Sequence, residues 1–213
     1  MKIKWLGHAS FLITSDSGVR IITDPYEPND KLLYGAIDES ADIATVSHDH
    51  FDHGNVAAVK GAPQVVKGDA EIRGIKFKGI ATFHDSSEGK ERGSNTIFCF
   101  EVDGVKVCHL GDLGHELTTE QAAQADAVDV LLLPVGGFYT IDATVAGRVA
   151  EQLKPRVVIP MHFKNSKCDF PIAGVEEFLR GKENISQPDA SEVEFRAGEM
   201  PPTTRIIVLK PAL

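Results

Sequence analysis

The sequence predicts an α/β protein in which β-sheets are covered on both sides by further layers, and three observations support this class. First, NTIFCFEVDGVKVCHLGD is a β-hairpin with Asp103-Gly104 at its turn and apolar residues on both faces, so we expect its strands to be covered on each side. Second, VDVLLLPVGG, a helix and KPRVVIPMH form a strand–helix–strand unit with parallel strands. Third, 42% of the 213 residues are hydrophobic, which suits one domain spanning residues 1–213.

The individual elements follow from local patterns along the chain. The first part consists of short β-like runs, namely KIKWL, SFLIT, VRIIT and DIATVS, and an alternating segment over residues 64–84. In the second part, TTEQAAQA predicts a short helix capped by Thr118 or Thr119. Asp142 caps the next helix, whose apolar residues recur at four-residue spacing as Val145, Val149 and Leu153. GVEEFLRGKE predicts a surface helix, and TRIIVLKP a closing strand.

Charge and cysteine content narrow the class of protein. The formal net charge is −9 and the isoelectric point is about 5.3, so an acidic surface disfavours nucleic acid as a partner and a small-molecule substrate is expected. Three cysteines without CxxC spacing indicate free thiols in a reducing compartment. The apolar start of the chain lacks the pattern of a signal peptide, and no run has the length of a transmembrane segment. We therefore expect a cytoplasmic protein; the composition does not address its oligomeric state.

The densest group of ionisable residues is HDHFDH, which directly follows the strand-like run DIATVS. Its candidate metal ligands are His48, His50, Asp52 and His53. Histidine is the commonest metal-ligating side chain near neutral pH, and aspartate supplies a hard anionic partner. A solvated polar loop is the alternative, but spacing this dense favours metal binding. Four such groups on one loop do not easily surround a single ion, whereas two adjacent ions can share them.

Further candidate ligands occur where later strands end. His84 closes GIATFHD, Asp112 follows VKVCHLGD, and His162 closes RVVIPMH. A single histidine after a strand is more often a hydrogen-bonded structural residue than a ligand. Because sites of layered α/β proteins form at strand ends, the repetition of this placement favours one shared site.

These motifs together resemble the metallo-β-lactamase-fold superfamily of metal-dependent hydrolases. The resemblance rests on SHDHFDHGN, HLGDLG and VVIPMHF, and the motif order agrees from WLGHASFLI to IPMHF. The opening LGHA, the GD strand end and LLLPVGGFYTID are most similar to the branch that contains ascorbate-6-phosphate lactonase-like proteins and N-acylphosphatidylethanolamine phospholipase D. The resemblance implies a four-layer αββα sandwich with the site at one edge, between two sheets.

The resemblance also implies two divalent metal ions and their ligands. By motif match, the first ion is bound by His48, His50 and His84, the second by Asp52, His53 and His162, and Asp112 bridges both. Zinc is the expected metal, although manganese, iron and nickel also accept such ligands. Two such ions give a bridging hydroxide that attacks a small ester, lactone or phosphodiester, and Asp52 and Asp112 orient this nucleophile as the catalytic residues.

Other polar residues near strand ends are candidates for the substrate side of the site. His8 lies in LGHAS, where a contact to the ligands or to the substrate is as plausible as a structural hydrogen bond. His115, Tyr139 and Lys164 follow strand ends and are expected as substrate contacts, with solvated loops as the alternative. Asp49, in contrast, is predicted to be a spacer between ligands.

Three other functions compete with hydrolysis of a small metabolite. A nuclease of the same fold would need a basic groove, and the net charge of −9 speaks against one. An iron-dependent redox or oxygen-handling module is the second alternative. Relatives with that function carry Glu where this chain has Asp49, and they need a flavin or rubredoxin partner domain. A metal-binding protein without catalysis is the third alternative, and the full ligand set weakens it.

Overall fold

The computed structural model describes residues 1–213, whose strands form two sheets. The strands are β1 (Lys2–Gly7), β2 (Ser10–Thr14), β3 (Arg20–Thr23), β4 (Ile43–Thr45), β5 (Gln64–Val66), β6 (Ala70–Ile72), β7 (Ile75–Phe83), β8 (Ser94–Val102), β9 (Val105–His109), β10 (Val130–Pro134), β11 (Val157–Met161), β12 (Ile185–Ser186), β13 (Glu192–Glu194) and β14 (Arg205–Ile207). The helices are α1 (Thr119–Ala125), α2 (Ala143–Leu153) and α3 (Val175–Leu179), and Val56–Ala58 forms a 3-10 turn. No helix combines the length and the apolar composition needed to cross a membrane.

The first sheet has six strands in the order β13-β1-β2-β3-β4-β5. Strands β1, β2 and β3 pair antiparallel, whereas β3, β4 and β5 pair parallel. Because side chains alternate along a strand, Trp5, Phe11 and Ile21 belong to the main core between the sheets. Leu12 and Ile22 point to the opposite face and belong to a second, smaller core. Both faces of this sheet are therefore covered.

The second sheet has eight strands in the order β12-β14-β11-β10-β9-β8-β7-β6. The predicted hairpin is present as β8 and β9, which pair antiparallel around Asp103 and Gly104 with φ of 52° and 74°. Positive φ at both central residues is typical of the tight turns that suit twisted hairpins. The predicted strand–helix–strand unit is also present, because β10 and β11 pair parallel on either side of α2.

The predicted helix starts agree with the structure. Thr118 caps α1 in a reciprocal capping box with Gln121, and the Asp142 carboxylate accepts a hydrogen bond from the Val145 backbone N–H at the start of α2. Helix α1 packs against β7, and α2 packs against β10 and α3. The helices thus form the outer layer of the second sheet, as the patterns of the second part predict.

The outer layer of the first sheet consists mainly of irregular chain. Tyr26, Leu32 and Tyr34 from the segment between β3 and β4 are buried there, together with Phe170 from the segment after β11. The 3-10 turn packs against the same cluster. Two segments distant in sequence therefore meet over this sheet, beside the strand ends that carry the polar cluster.

Candidate metal centre

The candidate ligands come together at one edge of the two packed sheets. The first sheet contributes His8 from the turn between β1 and β2 and the HDHFDH loop after β4. The second sheet contributes residues that follow β7, β9 and β11, namely His84, Asp112 and His162. The structure brings all seven residues that the resemblance implies as ligands into one cluster, and His8 joins them.

One group in this cluster consists of histidines only. His48, His50 and His84 each offer a ring nitrogen, and these nitrogens lie within 4.8 Å of one another. His48 and His84 are buried, whereas His50 lies at the solvent-facing side. The ring nitrogen Nδ1 of His48 contacts the Ser47 hydroxyl at 2.9 Å, which leaves its Nε2 buried without a partner. Three imidazoles at this spacing suit one transition-metal ion.

A second group combines one carboxylate with three histidines. The ligand atoms of His8, Asp52, His53 and His162 lie within 4.8 Å of one another, and all four residues are buried. His8 Nε2 lies 3.2 Å from Asp52 Oδ2. The sequence left the role of His8 open, and the structure places it against a residue implied as a ligand.

Asp112 lies between the two groups. Its Oδ1 is 3.2 Å from His53 Nε2, and its Oδ2 is 3.2 Å from His84 Nε2 and 3.3 Å from His162 Nε2. One carboxylate thus contacts histidines from both groups, which is the position that a bridging ligand needs.

The turn that carries Asp112 is fixed by a buried asparagine and by two glycines. Asn95 Oδ1 accepts a hydrogen bond from the Asp112 backbone N–H at 2.9 Å, and its amide group donates to the Leu110 carbonyl at 3.0 Å. A Cβ at Gly111 would lie 2.4 Å from Asn95 Oδ1, and a Cβ at Gly114 would lie 2.2 Å from the Asp85 nitrogen. The glycines of HLGDLG therefore allow the close approach of neighbouring chain that positions Asp112.

Asp24, which the sequence analysis did not single out, orients the HDHFDH loop through hydrogen bonds. Its carboxylate accepts hydrogen bonds from the Ser47 backbone N–H at 2.8 Å and the Ser47 hydroxyl at 2.5 Å, and it contacts His53 Nδ1 at 2.8 Å. The residue is fully buried and has a φ of 38°. Because Nδ1 of His53 is held by Asp24, its Nε2 faces Asp112. The only sequence signal was an aspartate directly after the strand VRIIT.

The charges of the cluster suit a bound cation. Burial, followed by the neighbouring histidines, lowers the pKa of His48 to about 3 and that of His8 to about 4, so these imidazoles are neutral and offer a lone pair. Burial alone would raise the pKa of Asp112, but His162 and His53 hold that pKa well below its usual value. Burial would likewise lower the pKa of His53, but Asp112 and Asp52 raise it well above its usual value.

Several buried ring nitrogens have no hydrogen-bond partner. Such unpaired atoms show directly whether these residues fit a metal. They are His8 Nδ1, His48 Nε2, His53 Nε2, His84 Nδ1 and His162 Nδ1, and Asp112 Oδ1 is likewise unpaired. Burying polar atoms without partners is costly in a folded protein. At His48, His53 and Asp112, whose ligand atoms lie within 4.8 Å of one another, such unpaired histidine and aspartate atoms therefore fit a divalent metal ion.

A cavity of about 490 Å³ opens directly over the cluster. It is lined by Asp49, His50, Phe51, Asp52, His84, Arg92, Asp112, Tyr139, His162 and Phe170. This volume falls in the range of small-molecule sites. Arg92, Phe51 and Phe170 are wall residues that the sequence did not identify.

The remaining sequence candidates differ in their placement. Tyr139 lines the cavity, and Asp49 lies at its edge with its carboxylate 2.5 Å from Lys67 Nζ. His115 accepts a hydrogen bond from the Phe83 backbone N–H and does not line the cavity. Lys164 also lies outside the lining, and its ammonium group contacts Asp169 at 3.2 Å. A substrate contact by His115 or Lys164 stays a prediction.

Comparison with known proteins gives the same fold. The Beta-lactamase superfamily domain family matches residues 2–162. A candidate Zn-dependent hydrolase of the metallo-beta-lactamase superfamily from Thermotoga maritima superposes with a TM-score of 0.81 and 38% sequence identity, covering 98% of this chain and 97% of that one. The predicted class, a metallo-β-lactamase-type sandwich of two sheets with helices, is thereby confirmed.

The relatives found by sequence are metal-dependent hydrolases by name. A UPF0173 metal-dependent hydrolase from Pyrococcus abyssi is 32% identical in an alignment that covers 76% of this chain and 84% of the relative. Another UPF0173 metal-dependent hydrolase, from Thermococcus onnurineus, is 31% identical with the same coverage of both chains.

Proposed function

The chain belongs to the UPF0173 metal-dependent hydrolase family of the metallo-beta-lactamase superfamily, and on this premise we propose that it hydrolyses a small ester, lactone or phosphodiester with two divalent metal ions. The observation that carries the proposal is the division of the cluster into two groups of ligand atoms on either side of Asp112. A single ion would leave one of these groups of buried polar atoms unpaired.

The assignment of ligands follows the two groups. His48, His50 and His84 would hold one ion, Asp52, His53 and His162 would hold the other, and Asp112, which lies between the two groups, would contribute to both. Zinc is the first choice because imidazole and carboxylate ligands suit it, and manganese, iron or nickel would accept the same set. In this assignment His8 orients Asp52 through the 3.2 Å contact to Oδ2.

The protein residues have separate roles in the proposed reaction. When bound, two such ions lower the pKa of a water molecule and polarise the carbonyl or phosphoryl group of the substrate. Asp52 Oδ1 makes no hydrogen bond within the chain, so this atom is free to orient the attacking water while His8 holds Oδ2. Asp24 and Ser47 keep the rings of His53 and His48 in their orientations.

The finer placement within the superfamily rests on the resemblance of the motifs. LGHA, the GD strand end and LLLPVGGFYTID favour the branch of ascorbate-6-phosphate lactonase-like proteins and N-acylphosphatidylethanolamine phospholipase D. Lactone or ester hydrolysis fits the first of these, and phosphodiester cleavage fits the second. A small-molecule partner also agrees with a cavity of about 490 Å³ in a chain of net charge −9.

Two measurements on the purified protein test this function. Elemental analysis should find close to two divalent ions per chain, and one ion or none would refute the two-ion site. A panel of 4-nitrophenyl esters, lactones and bis(4-nitrophenyl) phosphate should reveal hydrolysis that a chelator abolishes and added zinc restores. Activity that survives complete removal of metal would contradict the proposal.

A further inference from the structure

We propose that Arg92 and Tyr139 form an anion-binding subsite in the wall of the cavity, and that the substrate carries a carboxylate or phosphate group remote from the bond that is cleaved. This inference rests on the proposed function, because it names the substrate class of the same site. It is carried by the free donors of Arg92, by the rigid loop that holds this residue, and by the charges and apolar side chains around it.

The Arg92 guanidinium has donors available for a ligand. It makes no hydrogen bond to the chain, and its nearest carboxylate is that of the neighbouring Glu91, with Nη1 and Oε2 3.7 Å apart. The side chain is 31% exposed and lines the cavity above the cluster. Its Cζ lies 5.7 Å from the centre of the Tyr139 ring, a distance at which a cation is attracted to an aromatic face. The guanidinium thus lies beside the cavity with its hydrogen-bond donors unused within the chain.

The loop before β8 is built to fix the position of Arg92. The buried Asp85 carboxylate accepts four backbone hydrogen bonds, from the N–H groups of Ser87, Gly89, Glu91 and Arg92 at 2.8 to 3.0 Å. These bonds fix the backbone of Arg92, which reduces the conformational entropy that this loop loses when a ligand binds.

Of the lysine and arginine side chains, it is Arg92 that lines this cavity and can contact a ligand there. Of the two lysines nearby, Lys67 is paired with Asp49 at 2.5 Å, and Lys164 is paired with Asp169 outside the lining. Asp52 and Asp112 are the other carboxylates of the cavity, and both belong to the proposed metal site. Bound divalent ions reverse the sign of their local field, so an anion is favoured here although the whole chain is acidic.

The other residues of the cavity wall indicate which part of the substrate lies between its anionic group and the bond that is cleaved. Phe51, Tyr139 and Phe170 line the same cavity, and the Tyr139 ring packs edge-on against Phe170 with their centres 5.7 Å apart. These aromatic faces suit a short hydrocarbon segment. Because a guanidinium binds carboxylate and phosphate oxygens through the same two-pronged geometry, both anions belong to the predicted class.

Paired esters test the inference on the metal-loaded protein. The probes are 4-nitrophenyl butyrate, which is neutral, and mono-4-nitrophenyl glutarate, which adds a terminal carboxylate. We expect kcat/KM to be about tenfold or more higher for the anionic ester, and Arg92→Met to remove this preference by raising KM for that ester alone. Arg92→Lys, which keeps the charge without the fork, should retain part of the preference.

The ratio of kcat/KM for the two esters is taken within each variant, so any difference in metal content between variants cancels. Arg148→Met is the matched control, because Arg148 is an exposed arginine on α2 paired with Glu116, and its loss changes the net charge equally. It should retain the full preference. Equal rates for both esters in the wild type, or a preference that survives Arg92→Met, would overturn the inference and leave the proposed hydrolysis intact.

Direct binding tests the inference independently of turnover. Calorimetric titration of the metal-loaded protein with glutarate and with glycerol 3-phosphate should give affinities about tenfold weaker for Arg92→Met than for wild type and Arg148→Met. A weakening for only one of the two identifies the anion as carboxylate or phosphate. Unchanged affinities for both would refute the subsite, even if neither ester is hydrolysed and the proposed function itself fails.

Discussion

The floor and the rim of the cavity are built in different ways. The floor, which we define as the cluster of candidate ligands with Asp24, Ser47 and Asn95 beneath it, is buried except for the solvent-facing His50 and is held by hydrogen bonds from several strands. The rim, which we define as Arg92, Tyr139 and the neighbouring Phe138, is carried by loops, and Phe138 is 63% exposed.

This difference separates the chemistry from the choice of substrate. Asp24 and Asp112 each contact more than one neighbour, so a change at either disturbs the position of several atoms of the floor together. A rim residue acts through its own side chain, so a change there alters binding of one substrate group. Substitutions in the two regions should therefore have effects of different size and kind.

Replacing the central floor residue should have the largest effect. Asp112→Ala removes the carboxylate that contacts His53, His84 and His162, so we expect metal-dependent hydrolysis to fall by about 10³-fold or more and the metal content to drop below two ions per chain. Elemental analysis and the ester assay measure the two effects. Asp189→Ala, at an exposed aspartate paired with Lys210, should change neither. Full activity of Asp112→Ala would refute the proposed mechanism.

Weakening the support below the ligands should cost metal affinity. Asp24→Asn keeps the size of the side chain and tolerates the positive φ, but it loses the charge that pairs with His53. We expect zinc affinity, measured by competition with a chromogenic chelator, to fall about 10- to 100-fold.

A carboxylate directly before β4, that of Asp42, controls for this change. Asp42 also accepts a backbone N–H, from Arg20 at 2.9 Å, but it lies away from the cluster. Asp42→Asn should leave the zinc affinity unchanged. An equal loss of affinity in both variants would mean that Asp24 acts through general stability and not through His53.

Loosening the loop under the rim should alter substrate binding more than turnover. Asp85→Asn replaces one of the two accepting oxygens by a donor, so the loop hydrogen bonds to Glu91 and Arg92 or those to Ser87 and Gly89 are lost. We expect KM for the anionic ester to rise about fivefold, with kcat within about twofold of wild type. Asp69→Asn, at an exposed loop carboxylate that accepts only the Gly79 N–H, is the control. A loss confined to kcat would indicate that Asp85→Asn disturbs the candidate ligands of the floor and not Arg92.

Changes to Tyr139 should have the smallest effects. The Tyr139 hydroxyl makes no hydrogen bond within the chain, and the ring is the part that faces Arg92. Tyr139→Phe should therefore stay within about twofold of wild type, whereas Tyr139→Leu should raise KM for the anionic ester about two- to fivefold. A large effect of Tyr139→Phe would indicate that the hydroxyl itself contacts the substrate.

The candidate ligands of the floor were more accessible to sequence analysis than the floor residues beneath them or the residues of the rim. The HDHFDH loop carries its ligands at fixed local spacing, and His84, Asp112 and His162 each follow an apolar strand that the patterns predict. Asp24 and Asn95 carry no such local mark, because their roles arise only when neighbouring strands pair and bring them under the cluster.

The rim depends on loop geometry, which periodicity does not encode. The position of Arg92 follows from the four bonds to Asp85, and these bonds involve a turn that has no repeating pattern. The outer layer of the first sheet was equally inaccessible, because it is formed by irregular segments that meet only after the chain has folded.

Both groups of candidate ligands combine residues from the two sheets. The first joins His48 and His50 with His84 of the second sheet, and the other joins Asp52 and His53 with His162 of the second sheet. A chain in which only one sheet has formed therefore lacks a complete set for either ion. Binding of metal should select the state in which both sheets have docked, so that metal loading reports completed folding and resists separation of the two halves.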